Sequence, residues 1–206
     1  MGYIMSSQVF AGDTSGSVTI QCPAVAGSGI ITLPVGTGTM VVNNASSAIV
    51  AATAQNSTSG TALVFTGIPS WAKRITVLLS GVSTSGSSDV IIQLGTSSGF
   101  VSTGYLGASG RINNSNATGV TNFSSGFLLS LGGGASAAAT RHGRVVISNL
   151  SSNLWVSDFV FGISDTVFVG YGGGSLSLAS VLTQVQITTV NGTDTFDAGS
   201  INILYE

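Results

Sequence analysis

The sequence predicts an all-β protein: an antiparallel, jelly-roll-like β-sandwich head preceded by a short N-terminal β-fibre or docking segment. Three observations predict it. Charged residues make up only 6% of the chain, against about 25% in an ordinary soluble domain, so the Glu, Lys and Arg that favour helices are scarce. No window sustains apolar spacing at i, i+3, i+4, i+7, the pattern of an amphipathic helix. Short alternating runs bounded by Gly, Ser or Asn recur throughout, which is how sandwiches and barrels read.

Two regions separate along the 206 residues. In residues 1–60, short apolar fragments are spaced by small residues. Two fragments look alike, Gly16–Gly27 and Gly29–Gly38. Each has an apolar–Thr–apolar triplet (Val18-Thr19-Ile20 and Ile31-Thr32-Leu33) ahead of a proline. One such repeat cannot bury its own apolar face. Either three chains wind together as a trimeric β-shaft, or the segment is one irregular hairpin.

Residues 61–206 read as the head. Strands are expected at Ala62–Thr66, Arg74–Leu79, Val90–Leu94, Gly126–Leu131, Arg144–Leu150, Trp155–Gly162, Ser180–Val190 and Ile201–Tyr205. Turn signals between them include Ser80-Gly81, the glycine runs Gly132–Gly134 and Gly172–Gly174, and Asn191-Gly192. The stretch Thr96–Asn122 is rich in Gly, Ser and Asn and is expected to be a long exposed loop, where a rigid scaffold usually carries its binding residues.

Composition excludes several functions. The five basic residues (Lys73, Arg74, Arg111, Arg141 and Arg144) form no stripe, and the net charge is −2, so nucleic acid has no electrostatic footprint. Mean hydropathy is +0.53, but Ser, Thr, Gly or Asn breaks every apolar run well before the roughly 20 residues of a spanning helix. No membrane insertion is expected. The opening Met1-Gly-Tyr-Ile-Met-Ser-Ser lacks the basic start and apolar run of an export signal. Its Gly2 and Ser6 fit a myristoylation pattern only loosely. The lone Cys22 cannot form an internal disulfide. So few charges on a chain of this size suit a subunit that is covered by copies of itself.

Candidate chemistry is sparse. His142, the sole imidazole, stands between Arg141 and Arg144 at a strand entry, where a surface or turn role outweighs a triad. Asp194 and Asp197 could offer oxygens to Ca²⁺, or cap turns between the last two strands. Asp158 lies within an expected strand and Asp165 just beyond it. Trp71 and Trp155 are expected to pack on a sheet, with Trp71 the alternative platform for a sugar ring. No phosphate loop is present. No enzyme activity, catalytic residue, metal or cofactor is expected.

The stretch Phe65–Thr84 (FTGIPSWAKRITVLLSGVST) and the ending Gln186–Glu206 (QITTVNGTDTFDAGSINILYE) resemble a domain of tail-fibre and other virion proteins of tailed bacteriophages. Ile92–Gly95 and Thr103–Gly107 share that likeness, which covers about two thirds of the chain. The resemblance implies a virion component made in the host cytoplasm, assembled as homotrimers and mediating attachment to the host surface. Its N-terminal segment would contact other virion proteins, and its head a host surface glycan or protein. A structural tail, baseplate or head protein without a receptor is the alternative, and a polysaccharide-degrading enzyme a weaker one. Candidate receptor contacts are Tyr105 and Arg111 in the long loop and Tyr171 beside its glycine run.

Overall fold

The structure, a computed structural model, describes residues 7–11, 17–21, 49–116, 118–132, 136–165 and 167–206. The chain divides into two compact units, residues 1–42 and residues 43–206. In the first, strands β1 (Ser7–Ala11) and β2 (Ser17–Gln21) pair antiparallel, with Ala11 opposite Ser17. The first apolar–Thr–apolar triplet lies in β2. The second, Ile31-Thr32-Leu33, lies outside the described residues, as does Cys22.

The second unit is an antiparallel two-sheet sandwich, and no described residue is helical. Its strands are β3 (Val50–Ala51), β4 (Gln55–Asn56), β5 (Ala62–Thr66), β6 (Arg74–Thr84), β7 (Val90–Thr96), β8 (Gly99–Phe100) and β9 (Leu106–Asn113). They continue with β10 (Thr118–Phe123), β11 (Phe127–Leu129), β12 (Arg141–Ser151), β13 (Leu154–Ile163), β14 (Phe168–Ser177), β15 (Gln184–Thr189) and β16 (Phe196–Tyr205). The large sheet runs β10-β9-β14-β13-β12-β6-β16-β3, with β4 also on β16. The small sheet runs β11-β7-β15-β5, with β8 on β7. Residues 49–60, grouped by composition with the N-terminal segment, enter the large sheet through β3 and β4. The sandwich therefore begins upstream of Thr61.

Every expected strand overlaps an observed one. Alternation explains β13: Trp155, Phe159, Phe161 and Ile163 are buried, whereas Val156, Asp158 and Val160 between them are exposed. Each such buried side chain contributes about 1.5–3 kcal/mol relative to exposure. Both sheets supply one continuous core, from Leu63, Phe65 and Ile187 on one side to Ile75, Val77 and Ile203 on the other.

Three expectations fail, all at glycine. Ser80-Gly81 is not a turn but lies within β6. The stretch Thr96–Asn122 is not one long loop: it holds β8, β9 and β10. Gly172–Gly174 is not a turn but the middle of β14. The cause is steric. Gly170 stands opposite Phe161 across the β13–β14 ladder, and Gly172 opposite Phe159. A Cβ built at either glycine would overlap the facing ring. On the far side of β14, the Phe123 ring lies over Gly107 and Gly174 in the same way. Bare strand backbone is thus the floor on which neighbouring aromatics lie, a packing that keeps glycine where strand propensity alone would reject it.

Substituting Gly172 by Ala should therefore destabilise the sandwich by about 1–3 kcal/mol through overpacking, although alanine loses less entropy in a strand. Adding Phe159→Leu should recover part of that loss. Urea unfolding of the single and double variants measures both.

Candidate functional site

Three residues singled out as receptor contacts do not meet on one surface. Tyr105 is only 1% exposed, which corrects its place in an exposed loop. Its ring stands edge-on to Phe127 with centroids 5.1 Å apart. Its hydroxyl accepts the Leu94 N–H at 2.7 Å. Burial pushes the phenol well above its ordinary pKa, while that hydrogen bond pulls weakly the other way. Arg111 lies on β9, not in a loop. It points to the core side, because its neighbours Gly110 and Ile112 pair with Tyr171 and Val169 on the opposite face. Its guanidinium lies 4.6 Å over the Phe168 ring, and among the described residues its buried Nε and Nη1 have no hydrogen-bond partner. Tyr171 alone is open, at 44% exposure on the outer face of the large sheet.

The titratable groups are used locally. His142 Nδ1 accepts the Gly81 N–H at 3.2 Å, and Nε2 lies 3.2 Å from the Ser164 hydroxyl. With Nδ1 accepting, the neutral ring carries its proton on Nε2 and donates it to Ser164. A serine nucleophile needs the reverse, a lone pair on Nε2 and a carboxylate at Nδ1. Asp165 instead accepts the Thr140 N–H at 3.0 Å. Arg141 is fully buried at the end of β12, with Nη1 donating to the Ala139 carbonyl. Burial lowers its pKa, against the pull of Asp89 and Asp165. Asp89 holds the loop beside it by accepting from the Ser130 hydroxyl and the Leu131 N–H.

Asp194 and Asp197 serve backbone and side-chain hydrogen bonds. Asp194 accepts from the Asn191 amide at 2.7 Å and the Ser88 N–H at 2.9 Å, tying the β15–β16 turn to the β6–β7 loop. These bonds hold its carboxyl below the ordinary Asp value, the Asn191 bond most. Asp197 lies inside β16 and accepts from the Ser83 hydroxyl. No group of three His, Cys, Asp or Glu is gathered among the described residues. Trp155 is buried in the core, whereas half-exposed Trp71 packs on Tyr205 with centroids 5.8 Å apart. No described helix is long and apolar enough to cross a membrane.

The largest unexplained feature is the outer face of the large sheet. Strand register places Val120, Gly110, Tyr171, Val160, Arg144, Leu78 and Asn202 in one line across seven strands, β10 to β16. Leu106, Ile112, Val156 and Val169 flank that line on the same face. All the apolar members are exposed, Val160 at 59% and Val120 at 68%. The outer face of the small sheet is built differently. There Gln186 donates to Gln93, Gln93 to the Ser125 carbonyl and Gln184 to the Thr96 carbonyl. One face is finished with amides, and the other is left apolar. A monomer rarely exposes so continuous an apolar patch without a partner for it. The signal was present in the sequence: β13 carries apolar residues on both parities, as a strand covered on both faces does.

No protein-family model, curated protein or solved structure matches this chain. Its function is therefore read from its surfaces.

Tyr105→Phe should cost about 1 kcal/mol at neutral pH, through loss of the acceptor for Leu94. A phenol held neutral in the fold contributes stability below its ordinary pKa of about 10 and loses it as pH rises further. The Phe variant should accordingly lose less stability than the parent above pH 10, as read by denaturant midpoints. For Asp194 the sign is opposite: its lowered pKa contributes stability above the ordinary Asp range, lost as pH falls through it. Asp194→Asn should flatten the acid limb and speed hydrogen exchange at the Ser88 amide at neutral pH.

Proposed function

We propose that the chain is a structural and adhesive subunit of a multi-copy particle, a tail fibre or related virion component of a tailed bacteriophage. The observation that carries the assembly part is the open apolar face of the large sheet. Burying such a face is favourable at about 25 cal/mol per Å². The virion context is supported by the likeness of Phe65–Thr84 and Gln186–Glu206 to phage virion domains. In this reading the copies form homotrimers, residues 1–42 contact other virion proteins, and the exposed end of the sandwich meets a host glycan or protein.

A groove of about 310 Å³ at that end suits the adhesive part. Ile112, Asn113, Asn114, Ile163, Val167, Phe168 and Val169 line it. Apolar walls with side-chain amides fit the mixed polar and apolar faces of a sugar. Arg111 touches this groove only through Phe168, one of its walls, and Tyr105 drops out as a contact. The subunit is not proposed as an enzyme, since His142 is committed to donating its proton.

Particles lacking this protein should assemble normally and fail to adsorb to host cells. Broken particles would instead assign it a purely structural role. Release of reducing ends from host capsule by the purified chain would make it a depolymerase.

A further inference from the structure

We infer that a second copy of this chain covers the open face of the large sheet, with Arg144 of each copy set against Asp158 of the other. The inference rests on the self-assembly reading above and names the surface and its register.

Arg144 and Asp158 are the charges at the middle of that face. Arg144 stands opposite Val160, and Asp158 opposite Val146, so the two occupy neighbouring strands one row apart. Both are exposed. Among the described residues the only ion pair is Arg74–Glu206, and neither Arg144 nor Asp158 makes a side-chain hydrogen bond. Together with Leu78 and Val160 they line a depression of about 480 Å³. Opposite charges left unpaired within an apolar surround are costly if a nonpolar partner covers them. The cover must bring a positive group to Asp158 and a negative group to Arg144, at the same spacing and in reverse order.

A copy of the same face does this without further design. A half-turn about an axis lying in the plane between the two faces, midway between the two residues and perpendicular to the line that joins them, lays each Arg144 over the partner's Asp158. Such isologous contacts are the commonest way in which soluble chains self-associate. The charges set register, and the surrounding Val120, Tyr171, Val156 and Leu106 supply the apolar area, with Ile112 and Val169 left to the groove at the hairpin end. The area is adequate: seven strands about 4.8 Å apart, over some six residues at about 3.3 Å each, span roughly 600 Å² of sheet plane. Side-chain relief brings this near the roughly 800 Å² that each partner of a standard interface buries. The contact joins copies in pairs, so it links subunits in addition to any trimer held elsewhere.

Light scattering of the full chain over a concentration series tests this with charge swaps at exposed positions. The parent should associate. Arg144→Asp and Asp158→Arg should each weaken association about tenfold or more, by placing like charges against one another. The double swap, and an equimolar mixture of the two single variants, should restore it. Val160→Thr, which keeps the shape and adds a hydroxyl, should weaken association with an unchanged unfolding midpoint. Single swaps that leave the mass unaltered, or a double swap that stays dissociated, overturn the assignment of this face. A parent that is monomeric at every concentration overturns the self-assembly reading itself.

Discussion

Aromatic rings lying on bare glycine backbone are the contact on which the rest of the large sheet depends. Phe159 and Phe161 cover Gly172 and Gly170, and Phe123 covers Gly107 and Gly174. Because side chains alternate with a period of two, sliding β14 by one residue against β13 would set Tyr171 against a ring. The ring–glycine match therefore holds the register of β9, β14 and β13. It also decides what faces outward, since the residues between the buried ones are Val156, Val160, Val169 and Tyr171. The core and the open face are two consequences of one register.

That coupling separates the two sheets in kind. Around the small sheet the outward positions carry Gln93, Gln184 and Gln186, whose amides bond to one another and to backbone carbonyls. These amides satisfy one another and nearby carbonyls without adding charge. The large sheet has no such finish, and its two central charges have no mate among the described residues. The low-charge composition shows most plainly as an apolar outer face on the large sheet of the sandwich.

At the margins, charge and glycine have structural work. Gly81 and Gly199 take positive φ values of 67° and 93° where β6 and β16 bulge together, and a Cβ at Gly199 would strike the Gly81 carbonyl. The same bulge presents the Gly81 N–H to His142. Arg74 reaches Glu206 and closes the C-terminal strand onto β6, supported by paired backbone bonds between the same two residues. These groups are spent on closing the fold, which is why the titratable residues do not converge among the described residues.

Patterning by itself determined the fold class and the approximate place of eight strands, because alternation and missing helical periodicity are local properties of the chain. It also offered Asp194 as a turn cap, beside a Ca²⁺ ligand; the bond from Asn191 is local, as a cap requires, whereas the bond from the Ser88 N–H was out of reach of sequence spacing. The glycine-rich strands were illegible, since glycine signals a turn unless a ring from another strand needs its space, and Phe159 reaches Gly172 only across a ladder. The same limit misplaced Tyr105, whose burial comes from the Leu94 amide and the Phe127 ring. Nor could one dimension show that residues as distant as Leu78, Val120 and Tyr171 share a face. Only the tertiary structure decided that, because cross-strand register, not sequence spacing, brings them into line.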